Sequence, residues 1–234
     1  MAKTRRAAGQ PSRLPFLPYP TTRYEQRAWR KGAAVVAGAD EAGRGAWAGP
    51  LVAAAAIWPR DAGAQRELLD ALGEAGAELR DSKQLTAEQR VLARDTALAA
   101  GAQVAVAVIP VDELDTVGLG PANKLALARS LAALDPAPEF ALIDAFRLTA
   151  CCGSEAVVRG DQQCLSIALA SIVAKTHRDA LMIELDACYS GYGFAAHKGY
   201  GTAAHAAALA RLGPSPAHRR CFAPVARLLD DADS

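Results

Sequence analysis

Half of the 234 residues are apolar, yet no uninterrupted apolar run reaches the ~20 residues that cross a bilayer, so a transmembrane role is not expected. An export signal is not expected either. The basic opening MAKTRRAAGQ runs into PSRLPFLPYP, where prolines replace the apolar helical segment that export requires. The same prolines disfavour the amphipathic helix of a transit peptide, and a cytoplasmic location is expected. Cysteine is sparse and unpatterned. Cys151, Cys152, Cys164, Cys188 and Cys221 are odd in number, contain no CxxC and lie in mostly apolar surroundings, which argues for reduced thiols and against a disulfide framework. The four histidines show no zinc spacing. Net charge is only +1, so there is no global signature of a polyanion binder, but residues 1–31 carry +7 and the remaining 203 residues −6. A basic arm on a mildly acidic body suits either contact with a polyanion or a solvated tail. There is no internal repeat and no low-complexity block beyond a general richness in alanine.

What is present alternates between two periods. TTRYEQRAWRKG reads as a short helix, with Thr21 or Thr22 as N-cap and Gly32 as stop. Residues 33–40 and 50–59 read as strands joined by a glycine loop, although their alanines suit helices as well. Residues 85–101 open with Thr86 three positions before Gln89, a capping box, and form a helix ending on glycine. A strand over 102–111, a helix over 121–134 and a short buried strand over 139–146 follow, with a further strand suggested around SEAVVRG. From Asp161 a long helix is expected, because Leu165, Ala168, Leu169, Ile172 and Val173 form one apolar stripe. Its pattern stops near Tyr189–Gly193, and a last helix runs from about Thr202 to Leu212 before an acidic end. The expectation is an α/β layer fold with C-terminal helices as a cap. Residues 1–20 are read as a flexible basic extension and residues 229–234 as an acidic tail.

The stretch GADEAGRGAWAGP, residues 38–50, places Asp40 and Glu41 at the end of an apolar run and directly before a glycine- and arginine-containing loop. A nucleotide loop would need a helix right after the glycines to hold phosphate, and Pro50 with a strand-like run stands there instead. The other reading makes the acids ligands of hard divalent cations. Two such ions side by side activate water and stabilise a leaving oxygen in phosphodiester cleavage. In an extended strand the two side chains point to opposite faces, so a bend at the strand end is expected, which the glycines permit. More acids must then converge. Asp144 interrupts the apolar FALIDAF, where an unpaired carboxylate is costly to bury, so it belongs at a strand end in a polar site. Asp161 is positioned as an N-cap or first-turn residue, where the helix dipole favours its ionised form. Asp179 is a rival ligand, but its spacing from Lys175 suits an i, i+4 ion pair.

Six blocks in order, GADEAGRGAWAGP, DSKQLT, ALIDAF, GDQQCLSIALASIVAKTHRD, YGFAAHKGYGT and GPSPAHRRCF, resemble those of the bacterial type 2 ribonucleases H, the ribonuclease HII family, from about residue 33 to 225. The resemblance implies a ribonuclease H-like mixed sheet flanked by helices, with a C-terminal helical segment, in a catalytic domain spanning 21–228. It implies an endoribonuclease that cuts RNA in RNA/DNA hybrids and nicks duplex DNA 5′ to an embedded ribonucleotide; a monomer without a membrane partner is taken as the default. The ends would be 3′-hydroxyl and 5′-phosphate, and the roles ribonucleotide removal and degradation of primer RNA. By motif position it makes Asp40, Glu41, Asp144 and Asp161 the catalytic, metal-binding residues for two Mg²⁺ or Mn²⁺ ions. Gly43, Arg44 and Gly45 match a loop that reads the ribose 2′-hydroxyl, Lys83 a phosphate contact, and Tyr200 the aromatic that packs on the next deoxyribose. The chain departs from the family pattern at Trp47, Gln162, Leu169 and Cys221, none of them an expected ligand. Type 3 ribonucleases H share the carboxylates but usually differ at the loop and carry an added N-terminal domain. His197, Lys198, His205, His218, Arg219 and Arg220 either touch the second strand or hold loops to the body. The alternatives are a non-catalytic binder of RNA/DNA hybrids and a metal-dependent enzyme acting on small phosphate esters.

Overall fold

Alternation of side chains along five strands builds one sheet with two apolar faces. The structure, a computed structural model, describes residues 17–148 and 152–232, so most of the expected basic extension and the last two residues of the expected acidic tail lie outside the described residues. The strands β1 (Val36–Ala42), β2 (Leu51–Ile57), β3 (Gln103–Ile109), β4 (Phe140–Asp144) and β5 (Gly153–Val157) lie in the order β3-β2-β1-β4-β5. β1 pairs antiparallel with β2, as does β2 with β3, whereas β1–β4 and β4–β5 are parallel. This is the mixed sheet that the family resemblance implies, within the α/β layer fold read from the elements. The alanines that blurred the strand reading have a packing reason: Ala37, Ala39, Ala53 and Ala55 face one helical layer and Ala42, Ala54 and Ala56 the other, all buried. Small side chains on both faces let helices lie close to the sheet.

The helices are α1 (Arg23–Arg30), α2 (Ala62–Glu74), α3 (Ala87–Ala99), α4 (Val111–Val117), α5 (Leu119–Ala132), α6 (Leu165–Cys188), α7 (Phe194–His197), α8 (Ala203–Leu212) and α9 (Ala223–Ala232). α6 crosses β1 and β2 on one face with α3 packed against it, and α5 covers the other face with α4 beside it. Gly38 fixes that approach, because a Cβ there would land inside the backbone of Ser166 and Ile167. The capping box of α3 is present in both directions, with Gln89 N–H donating to Thr86 Oγ1 at 3.2 Å and Thr86 N–H to Gln89 Oε1 at 2.8 Å. α1 contributes the buried Glu25, whose Oε1 accepts from the N–H (3.0 Å) and the hydroxyl (2.7 Å) of Ser166. It thus occupies the N-terminal end of α6, where the helix dipole favours an anion.

Two sequence expectations need correction here. The long helix begins at Leu165, after a single 3₁₀ turn over Gly160–Gln162 that holds Asp161, and its N-cap is Cys164. Beyond the expected last helix, α9 follows, and it extends into the stretch read as tail. A third apolar cluster of Ala48, Met182, Tyr192, Phe194, Ala208 and Ala217 joins the C-terminal helices to the body. Among the described residues no helix is long and apolar enough to cross a membrane.

Candidate active site

The carboxylates meet where β1 and β4 end. The parallel pairing of these strands runs to Ala39 opposite Ile143, so the next residues, Asp40 and Asp144, are neighbours at the point where the ladder stops. Both point toward α6. The bend expected at Glu41 is not there: β1 continues in register with β2 through Asp40↔Ala54, Glu41↔Ala53 and Ala42↔Val52. Glu41 therefore faces the α5 layer, opposite to Asp40, as the pleat requires. The two acids reach one cleft from the two faces of the sheet. β5 returns from Val157 into the 3₁₀ turn, where the Gly160 N–H donates to Asp144 Oδ1 at 2.6 Å and Asp161 is brought behind Asp144.

Packed together, these acids hold their protons abnormally tightly. Asp40, 7% exposed, has its pKa pushed well above the usual carboxylate value by burial, then by the charges of Asp144 and Glu41, with Ser171 and the Glu41 N–H pulling back. Burial and Asp144 raise Glu41, burial raises Asp144, and burial, Asp144 and Asp81 carry Asp161 to about 6. The sequence had suggested that a helix dipole would favour ionised Asp161. Outside α6 and beside two other acids, the effect has the opposite sign. Asp81 complements it: hydrogen bonds from the Lys83 N–H (3.0 Å) and Gln162 Nε2 (2.9 Å) stabilise its charge, and its pKa is lowered despite burial. Lys83 answers this cluster, its own pKa raised by Asp161, Asp81, Asp40 and Asp144 against the cost of burial.

The four acids supply only carboxylate oxygen, the donor that hard divalent cations take. Glu41 Oε2 is buried without a hydrogen-bond partner. By donor chemistry and by this orphaned oxygen, the residues fit a hard cation. Among the described residues no three acids are drawn into a closed cluster.

The cleft, about 450 Å³, is lined by Asp40, Glu41, Asp144, Lys83, Lys175 and Tyr200 together with the glycine loop. Gly43 has φ +87°, and a Cβ on it would overlap the guanidinium of Arg178, so only glycine fits. Arg44 is exposed, with its guanidinium 4.7 Å from the centre of the Phe146 ring. Tyr200, 37% exposed, lies 5.5 Å from the Arg178 guanidinium and 5.9 Å from Lys175 Nζ by ring centre. Eight of the nine site residues expected from the sequence line this one cleft, whereas Asp161 is not among its lining residues and sits in the 3₁₀ turn whose Gly160 N–H bonds Asp144. Asp179 is elsewhere occupied, paired with Lys175 at 2.6 Å and Arg90 at 3.2 Å.

Sequence reasoning missed Asp81, Ser171, Asn123 and Phe146. Asn123, fully buried in α5, lies near enough to lower the Glu41 pKa, although its amide stops short of hydrogen-bond geometry. A buried-face amide in the otherwise apolar ANKLALA was the available signal. Of the C-terminal polar residues, His205, His218 and Arg219 are buried and hold loops to the body. Trp47 is a packing residue, its ring centre 5.4 Å from that of His205.

A mixed sheet carrying acids at the ends of adjacent central strands places the chain among ribonuclease H-like proteins. The ribonuclease H2 of Pyrococcus horikoshii OT3 superposes with a TM-score of 0.65 at 22% identity, over 86% of this chain and 99% of that one. Bst-RNase HIII in complex with Mn²⁺ superposes with a TM-score of 0.61 at 21% identity, over 88% and 72%. In sequence, the Ribonuclease HII family model matches residues 37–225. Ribonuclease HII of Chloroflexus aggregans is 46% identical over 92% of this chain and 99% of its own, and that of Dehalococcoides mccartyi 40% over 88% and 94%. The chain belongs to the ribonuclease HII family. It is a ribonuclease H, a hydrolase acting on nucleic acid, which sets aside the non-catalytic binder.

Proposed function

We propose that this endoribonuclease cuts the RNA strand of RNA/DNA hybrids and nicks duplex DNA on the 5′ side of an embedded ribonucleotide, leaving 3′-hydroxyl and 5′-phosphate ends. Asp40, Glu41, Asp144 and Asp161 would hold two divalent cations, Mg²⁺ or Mn²⁺. The observation that supports this reading is the approach of four acids, each with a raised pKa, from β1, β4 and the 3₁₀ turn after β5 toward one cleft beside a basic loop. Without a cation such a group only destabilises the fold. When bound, the ions supply charge neutralisation at the scissile phosphate and a more acidic attacking water.

The chain's own residues position the duplex. Arg44 and Lys83, exposed at the cleft, attract backbone phosphates and carry no base information, so cleavage should be indifferent to sequence. The glycine loop brings backbone close to the sugar, where the 2′-hydroxyl alone distinguishes ribose from deoxyribose. Tyr200 offers an apolar ring to the following sugar, a surface that favours the one lacking a hydroxyl. A monomeric, cytoplasmic enzyme acting in ribonucleotide removal and primer degradation fits this chemistry.

Cleavage should be compared on a long RNA/DNA hybrid, a duplex with one ribonucleotide, an all-DNA duplex and a mononucleotide phosphodiester, each with Mg²⁺ and with Mn²⁺. The proposal expects product from the first two only. Hydrolysis of the small ester at a similar rate would instead favour a small-molecule phosphoesterase.

A further inference from the structure

Two arginines are fully buried in the chain without a salt bridge to any acid among the described residues: Arg178 and Arg219. Burial and the charge of Arg178 pull Arg219 down to about 9, with Asp115 helping it only at longer range. A guanidinium remains charged at neutral pH under that influence. Burying a cation against carbonyls alone is a poor way to gain stability, so its placement calls for another account.

Its partners supply one. Arg219 Nη1 donates to the carbonyls of Gly43 at 2.7 Å and Arg44 at 3.2 Å, Nε to Gly49 at 2.8 Å and Nη2 to Pro50 at 2.9 Å. The guanidinium therefore holds both ends of the glycine loop and turns the two consecutive carbonyls at its tip inward. A trans peptide carries its C=O and the next N–H on opposite sides. With Gly43 and Arg44 carbonyls inward, the N–H groups of Arg44 and Gly45 point outward. Arg44 and Gly45 are exposed on the cleft, and among the described residues neither N–H has an acceptor. Two neighbouring N–H groups aimed the same way form a small concavity for an oxygen acceptor. Arg178 completes the frame by filling the space beneath Gly43 and donating to the Ala48 and Pro50 carbonyls.

We propose that Arg219 is the positioning residue for ribose recognition: by drawing the Gly43 and Arg44 carbonyls inward, it presents the Arg44 and Gly45 N–H groups to the 2′-hydroxyl oxygen. This rests on the reading of the loop given above and names the group that sets its geometry. A deoxyribose brings no oxygen to these N–H groups and leaves them covered and unpaired, a loss worth about tenfold or more in affinity.

The test uses the full chain and measures Kd by fluorescence anisotropy in Ca²⁺, for a duplex with one ribonucleotide and for the same duplex all in DNA. The wild type should prefer the first by about tenfold or more. Arg219→Lys keeps the charge but cannot hold two adjacent carbonyls and both strand-end carbonyls together. It should bring the ratio toward one by weakening the ribonucleotide duplex, leaving the all-DNA Kd within about twofold. A folded Arg219→Lys that keeps the wild-type ratio, or that loses both affinities equally, overturns the inference. A wild type without preference overturns instead the reading of the loop on which it rests. Should Arg219→Lys not fold, amide NMR of the wild type decides. The Arg44 and Gly45 N–H resonances should move on adding the ribonucleotide duplex and not on adding the all-DNA duplex, and the same movement with both duplexes, or with neither, overturns the assignment.

Discussion

Asp161→Asn should make the fold more stable while removing one of the proposed cation ligands. Asp161 is 4% exposed, and burial followed by the charges of Asp144 and Asp81 raises its pKa from 3.8 to about 6. The folded chain thus holds this proton more tightly than the unfolded chain, and stability falls as pH rises from 3.8 toward 6. Above that window the whole penalty is present; below it none is. A shift of about 2 units at ~1.36 kcal/mol each is about 3 kcal/mol, and water entering the open cleft should reduce it to about 1–2 kcal/mol. In the variant the new side-chain amide can still donate to Asp81, as the protonated acid does, so little is lost in exchange. For a fold of this size the melting temperature should rise by about 2–8 °C at pH 8 in EDTA, and the gain should shrink at pH 4.5. Excess Mn²⁺ should stabilise the wild type more than the variant. Calorimetry at both pH values decides it, and an Asp161→Asn protein no more stable than wild type at pH 8 in EDTA would mean that Asp161 carries no such penalty.

Asp40→Asn and Asp144→Asn should each lower cleavage by about 100-fold or more, since each would remove an anionic ligand of the cations proposed to neutralise the phosphate; gel assays with wild-type protein alongside measure it. Gly43→Ala pairs a left-handed φ with overlap on Arg178 and should cost about 2 kcal/mol or more in urea unfolding, together with ribose preference. Lys83→Ala should weaken binding alike for unrelated sequences and reduce the slope of log Kd against log salt by about one contact. Burial, then His205, depresses His218 to about 4, so the unfolded chain takes up this proton first. The stability it supports is complete above pH 6.5 and is lost as pH falls from there through 4, and His218→Gln should flatten that part of the urea-midpoint profile.

The strands and the candidate carboxylates were legible because burial leaves a strong trace. Asp144 stood out as an acid in an apolar strand, and Thr86 with Gln89 announced the start of α3. Two features were not legible, each because tertiary contacts decided it. α6 starts at Leu165 rather than at Asp161, with Cys164 as an N-cap that makes no side-chain cap bond, and its first-turn Ser166 N–H is satisfied by Glu25, 141 residues away in the chain, a partner no local reading can supply. The bend expected at Glu41 was unnecessary, because a cleft at a strand end is reached from both faces and needs no distortion. Arg219 stayed open between a contact to the second strand and a loop anchor because nothing local in AHRRCF distinguishes a buried guanidinium from its neighbour Arg220. Only the loop carbonyls gathered around it reveal its place.

If these acids hold the cations and the loop selects one ribose, end-labelled duplex DNA with a single ribonucleotide, incubated with wild-type protein and with Asp144→Asn in Mg²⁺ or Mn²⁺, should separate the two proteins. The wild type alone, and only with metal, should make one nick immediately 5′ of the ribonucleotide, with a 3′-hydroxyl that a polymerase can extend. A nick elsewhere, a nick in EDTA, or equal activity from Asp144→Asn would show that these acids do not carry the cleavage.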